Sequence, residues 1–370
     1  MSNTKNLKQN FDIPYSEDIQ AVKTPLNFEI SETQSLQNDL KKRNIKRPQN
    51  YYLAIIFAFS SAFGFAIHNY FVTYGIRMRN NSSSIAFAEF FSLMAAPIFL
   101  QMYLAGHSFK NKGKLWIKQE SQLYDKSTLR FKYICLFCVI SRGIISVFLN
   151  SNVGFMAYYS FRADISPSVI ISINSLTSFT VAIVFYFLYH EKLNFKHLIG
   201  MILIIICVVL IAISKSFTIQ RPLVEEPITV FVPIFFALLQ VLVMTLSTVI
   251  IRKSQENGYD VIRFCIDQQI VSGGLFLLLF LHSHFTYLPY TWTQLWFIQI
   301  AVIAFTSAVI AFNYSLRYGK GGISMAICQL QNVFQLILEV LVEGRIPNYF
   351  EVSSIICALV GSIILAIAKK

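Results

Sequence analysis

Charge is scarce in this chain. Asp, Glu, Lys and Arg make up 14 % of its 370 residues, where a soluble domain carries about a quarter. So little charge cannot clothe several water-facing domains, which argues against a soluble protein of this length. A glycine-rich phosphate loop is missing, so this chain does not drive movement of a solute with ATP. The six cysteines all fall in apolar stretches, which argues against a disulfide framework. Cys135 and Cys138 have metal-ligand spacing but no second pair, and they read as packing residues. His190-Glu191 with His197 is not His-Glu-x-x-His, because its histidines lack the one-turn spacing of a zinc protease. Gly322-Ile323-Ser324 is a lone three-residue match to an intramembrane serine protease and carries little weight. Residues 1–48 lack the basic start and apolar core of a secretory signal peptide. Their acids (Asp12, Glu17, Asp18, Glu29, Glu32) argue against a mitochondrial transit peptide.

What is abundant is apolar. Hydrophobic residues reach 55 %, Phe alone counts 34, and mean hydropathy is +0.55. Residues 1–48 are polar and read as a disordered cytosolic tail. Ten apolar segments follow, at 51–75, 84–105, 132–158, 166–189, 195–214, 228–250, 261–283, 293–314, 322–342 and 349–368. Each is close to the roughly 20 residues that cross hydrocarbon as a helix. The expected fold is an all-α integral membrane protein with ten transmembrane helices.

Two stretches repeat each other. Residues 159–213 and 314–367 both open on Tyr-Ser-x-Arg (Tyr159 to Arg162, Tyr314 to Arg317). Both run an apolar segment to an acid (Glu191, Glu343), turn, and run a second apolar segment ending in Ala-Ile. Duplication of this kind is the usual construction of secondary transporters. The repeats are expected at 49–215 and 228–370, with 216–227 as a linker. Five spans is an odd number, so the second repeat enters the membrane from the opposite side. Two inverted five-helix repeats result, a construction that supports alternating access at a midplane site.

Orientation follows from Lys and Arg. With a cytosolic start, most of the 31 basic residues fall in the tail, in the loops after spans two, four, six and eight, and at Lys369-Lys370. The opposite loops hold Arg77, Arg79, Arg162, Lys215, Arg221 and Arg345, and Arg142 lies within a span. Both termini are therefore expected in the cytosol. The net charge of +12 faces an anionic leaflet, and nucleic acid is not among the expected partners. The address is unread. Lys369-Lys370 stand too near the terminus for a dilysine signal, and the sequons at Asn80 and Asn81 stand too near the membrane for modification.

In the first copy His190-Glu191-Lys192-Leu193 leads to Gly200, after a helix opened by Ser166-Pro167. In the second, Glu343-Gly344-Arg345-Ile346-Pro347 leads to Gly361. Ser354 stands where the first copy has Gly200, and Cys207 where the second has Gly361. This pattern resembles the EamA-type domain of the drug/metabolite transporter superfamily across residues 50–368. The resemblance is stronger for spans three to five and eight to ten than for the others. It implies a ten-helix, two-repeat fold and transport of an organic solute, with no catalysis and no cofactor. Relatives by fold include nucleotide-sugar and triose-phosphate translocators, which exchange anionic metabolites.

Polar residues inside the spans are the candidate site. Arg142 sits mid-span, where a cation costs roughly 2.5–3.5 kcal/mol on insertion scales. It either binds an anionic solute group, pairs with Glu89 or Asp267, or snorkels to the cytosolic face. Glu89 and Asp267 each lie about six residues into a span. Either could carry a coupled proton, since burial favours the neutral carboxyl, or be an interfacial acid bonded to a neighbour such as Arg263. Glu191 and Glu343 read as turn residues. Asn174 with Ser178 on span four, and Gln331 with Gln335 on span nine, share a helix face and match across the repeat. They line a cavity or make ordinary interhelical hydrogen bonds worth about 0.6 kcal/mol each. His68 on span one is a further binding candidate. Metal ligands are not expected. Two functions remain: a secondary carrier of a small organic solute, and a transport-inactive, transporter-like scaffold that docks partners through the tail and the 106–131 loop. The expected partners are the solute, the lipid bilayer and, as an option, a second copy in a homodimer.

Overall fold

The computed structural model describes residues 50–79, 83–115, 121–125, 130–163, 170, 173–191, 193–216, 231–344 and 348–367. The 1–48 tail, the 216–227 linker beyond Ser216, Ser166-Pro167 and Arg345–Pro347 lie outside them.

The described residues are almost wholly helical. Helix α1 spans Tyr51–Met78, and a 3₁₀ turn, Ser83–Glu89, leads into α2, Phe90–Lys112. Helix α3 is Tyr133–Arg162. A second 3₁₀ turn, Ile173–Leu176, opens α4, Thr177–Tyr189, and α5 follows at Phe195–Ser216. Then come α6, Phe231–Glu256; α7, Val261–Thr286; α8, Trp292–Tyr318; α9, Gly321–Cys328; α10, Gln331–Glu343; and α11, Tyr349–Ile367.

Among the described residues, seven stretches are long and apolar enough to cross a membrane: Tyr51–Ile76, Ser84–Asn111, Tyr133–Ser160, Phe231–Glu256, Val261–Thr286, Trp292–Tyr318 and Gly321–Val342. Three shorter apolar helices lie at Ile173–Tyr189, Phe195–Leu210 and Tyr349–Leu365. Each stretch falls within one of the expected apolar segments or overruns it by a few residues. Large apolar side chains such as Phe99, Phe137, Phe187, Leu242 and Ile303 stay exposed, a surface suited to lipid rather than water.

Local chemistry sets the ends. Asn50 caps α1 by accepting from the Leu53 amide. Asp260 caps α7 through the Ile262 and Arg263 amides. Thr291 and Gln294 form a reciprocal capping box on α8, which satisfies two otherwise orphaned groups. Helices α4 and α10 both stop on a left-handed residue, His190 at φ 53° and Gly344 at φ 66°, so the two copies end alike.

The segment expected at 322–342 is not one straight helix. It breaks between α9 and α10, where the Leu330 amide bonds to the Ile327 carbonyl at 3.0 Å, a tighter i→i−3 link. The 3₁₀ turn Ile173–Leu176 puts a similar irregularity at the matching place in the first copy. In both, an amide side chain lies at the irregularity (Asn174, Gln329).

Helices from the two halves pair antiparallel. Along α1 and α8, Phe57 meets Tyr314, Phe65 meets Phe305, and Phe71 meets Phe297. Along α2 and α7, Phe90 meets Phe280 and Gln101 meets Asp267. Along α3 and α6, Asn152 bonds Gln240 and Tyr159 stacks on Phe236. Helices α5 and α11 cross where Gly200 meets Gly361.

Candidate functional site

Arg142 lies on α3 with 5 % of its surface exposed. Its Nε and Nη1 are buried without a hydrogen-bond partner. Gly143, the next residue, lets α3 approach α7: a Cβ there would sit 3.1 Å from the Gln268 carbonyl oxygen. Gln268 on α7 and Asn313 on α8 are almost fully buried, and each leaves its side-chain oxygen without a partner. Asn313 spends its Nδ2 on the Cys265 Sγ.

The pairing of Arg142 with Glu89 or Asp267 that the sequence left open is not what the structure contains. Both acids are bonded elsewhere. Glu89, 0 % exposed, takes His68 Nε2 at 3.1 Å and the Asn150 amide at 3.0 Å. The three residues come from the first 3₁₀ turn, α1 and α3. Asp267 is half-buried, accepting from the Tyr259 hydroxyl at 2.6 Å and from Gln101 at 3.0 Å. Burial pushes the Tyr259 hydroxyl up from its usual value, and the neighbouring Asp267 adds to the effect. Tyr259 therefore stays a donor. Glu89 and Asp267, matched by position in the sequence, thus sit in unlike settings.

The amides of spans four and nine divide. Ser178 is buried but its hydroxyl is spent on the Ser175 carbonyl at 2.9 Å. Asn174 keeps a buried Oδ1 without a partner, and so does the Thr177 hydroxyl one turn on. At the break in the second copy, the unpartnered atoms are Gln329 Oε1 and Asn332 Nδ2. Gln331 is half-buried and Gln335 is 8 % exposed. The irregularities thus gather unspent polar atoms in both copies. Gln329 and Thr177 were not among the expected site residues, although Gln329 interrupts an apolar run and was visible there.

Two buried arginines tie the ends of α8 to other elements. Arg79, 1 % exposed, donates to Ser84 Oγ at 2.9 Å, to Gln294 Oε1 at 3.3 Å and to the Leu288 carbonyl. Its guanidinium lies 3.6 Å above the Tyr290 ring. At the other end, Arg252 pairs with Glu191 and donates to the Leu316 carbonyl. Glu191 also accepts from the Gly321 amide at the start of α9, at 2.9 Å. Glu191 was expected to serve its own turn. It also joins the end of α4 to α6 and α9. The side chain of Glu343 lies outside the described residues.

The chain matches a known family. Residues 51–213 and 231–367 both match the EamA-like transporter family. The chain belongs to that family, part of the drug/metabolite transporter superfamily. It is a multi-pass membrane protein of a class that transports small solutes rather than catalysing reactions. A solved structure, described as a crystal structure of a protein, shares 14 % identity over 84 % of this chain and 99 % of its own, with a TM-score of 0.52. That likeness concerns the fold alone. No curated protein matches the chain.

Proposed function

We propose that the protein is a secondary-active carrier of a small organic anion, working by alternating access. The observation that carries this reading is Arg142: a buried guanidinium with two unpartnered nitrogens, beside helices that bring Gln268 and Asn313 with unspent oxygens. Donors without partners in an apolar bundle are costly, and an anionic group is what a guanidinium holds best, through two parallel bonds. The unspent oxygens of Gln268 and Asn313 suit a hydroxyl or amine on the same solute. Asn174, Ser178, Gln331 and Gln335 are proposed as further lining residues.

The proposed architecture is ten spans in two inverted repeats, 49–215 and 228–370, with both termini cytosolic. Its support is the pairing of helices. Exchanging the halves maps the α1–α8 pair onto the α6–α3 pair, and both run antiparallel. It also maps the Gly200–Gly361 contact onto Ser354–Cys207, two residues of the same closely packed pair, α5 and α11.

The test is uptake into proteoliposomes of radiolabelled carboxylates, phosphate esters and amines, by wild type and Arg142→Gln. Saturable uptake of an anion, lost in the variant, supports the reading. Uptake of amines alone, or equal uptake by both proteins, sinks it.

A further inference from the structure

Glu89 holds a histidine, and the geometry of the pair is specific. His68 Nε2 stands 3.1 Å from Glu89 Oε1. The other ring nitrogen, Nδ1, faces the acceptor Oδ1 of Asn69 at 3.4 Å, which suits the tautomer that carries a proton on Nδ1. Asn150 Nδ2 donates to the far carboxylate oxygen, Oε2, at 3.0 Å. That leaves one position, between Nε2 and Oε1, where a proton can come and go. With one proton there, the pair is either neutral acid and neutral imidazole or carboxylate and imidazolium. Both forms have zero net charge, which a site with Glu89 at 0 % and His68 at 5 % exposure tolerates. With no proton the site holds a net negative charge, and with two a net positive one. Either is costly without water.

We propose that His68 and Glu89 together form a proton-binding site of the carrier, filled and emptied once in each transport cycle. This rests on the transport reading above. The proton transfers between solution and the Nε2–Oε1 pair, with no other bond made or broken. Because the pair is buried, it exchanges protons only when the bundle opens to one side, and this separates a coupled proton from a leak. Asn150 supplies the link to the solute. It lies on α3 eight residues after Arg142, about 12 Å along the helix and on the same face. A shift of α3 when an anion settles on Arg142 moves the Asn150 donor relative to Glu89.

Other groups do not replace His68 as the partner. The 3₁₀ turn that ends in Glu89 packs against α1, α2, α3, α7 and α8. On α3, Arg142 is the two turns away just described. On α7, Asp267 is held by Tyr259 and Gln101, and His284 lies farther out, stacked on Phe280 and Tyr290. On α2 and α8, Ser92 and Gln299 bond each other at 2.6 Å. Arg79 is engaged with Ser84, Gln294 and the Tyr290 ring. Phe305 covers the imidazole, with ring centres 4.8 Å apart.

The experiment needs no identified solute for its first arm. The full chain in lipid nanodiscs is titrated between about pH 5 and pH 8 by difference infrared spectroscopy, following the carboxyl C=O stretch and the imidazole ring bands. Expected for wild type is a carboxyl band and an imidazole band that titrate together. Glu89→Gln loses both changes. His68→Gln loses the imidazole change and alters the carboxyl change, as removal of one member of a coupled pair does. A carboxyl titration unchanged from wild type in either variant overturns the site. The second arm drives uptake of the carboxylate and phosphate-ester panel with a proton gradient. Wild type responds to the gradient and Glu89→Gln loses the response. A gradient response that survives in Glu89→Gln overturns the coupling. Coupled titration without uptake of any panel solute supports the proton site and overturns the anion reading, so the two failures are distinguishable.

Discussion

Gly200 and Gly361 meet backbone to backbone. A Cβ added to Gly200 would lie 3.0 Å from the Gly361 carbonyl oxygen, and one added to Gly361 would lie 3.0 Å from the Gly200 carbonyl oxygen. The contact is reciprocal, and it lets α5 and α11 cross closely, as small residues do at helix interfaces in lipid. Gly200→Leu is therefore expected to lower the stability of the purified protein by about 1–3 kcal/mol or more through overpacking. Gly106→Leu, where an added Cβ meets nothing within 4 Å, is the control. Thermal unfolding in detergent compares them, and equal midpoints would contradict the packing seen at this crossing.

Arg142→Gln should fold at least as well as wild type. It removes a buried cation whose Nε and Nη1 have no partner, and neither Glu89 nor Asp267 loses a bond. Anion uptake should be lost all the same. Expression level and uptake are read together. Poor expression rescued by a second change at Glu89 or Asp267 would restore the ion-pair alternative.

Arg252→Ala is expected to be far more damaging. Arg252 and Glu191 side chains are 3 % and 11 % exposed, and removing one partner of a buried pair typically costs 3–5 kcal/mol. Glu191→Gln in the same protein should recover part of the loss, since a glutamine oxygen can still accept from the Gly321 amide. Thermal midpoints of the two single variants and the double variant decide it. Additive losses would mean the pair is not coupled.

Tags at the two ends test topology. Both should be protease-protected in sealed right-side-out vesicles: the proposed even number of spans puts both ends on one side, and the charge bias favours the cytosol. Accessibility of one tag alone would leave an odd number of spans and end the inverted-repeat reading.

The helices were legible because lipid-facing segments need only be apolar and long enough, and runs such as 261–283 declare both. The break at Cys328–Gln331 was not, since the amides around it, Gln329, Gln331 and Asn332, read equally well as polar positions on one continuous helix. Arg142 was legible as a charge out of place. Its lack of a partner was not, because that depends on Glu89 having been taken by His68 and Asn150, residues 21 and 61 positions away in the chain. The partner of Glu191 was illegible for the same reason: Arg252 lies 61 residues on.

Arg79 and Arg252 hold opposite ends of α8, one through Gln294 and the other through the Leu316 carbonyl. A carrier that opens one end at a time must loosen one set of bonds while keeping the other. On the alternating-access reading proposed above, the difference in strength between the two clamps would set the poise of the empty molecule, the fraction resting open to each side. About 1.4 kcal/mol between them is a tenfold bias. Weakening a peripheral bond, such as that from Arg79 to Ser84, would shift this resting bias and the apparent affinity measured from each side in opposite directions. It would do so without touching any group that meets the solute.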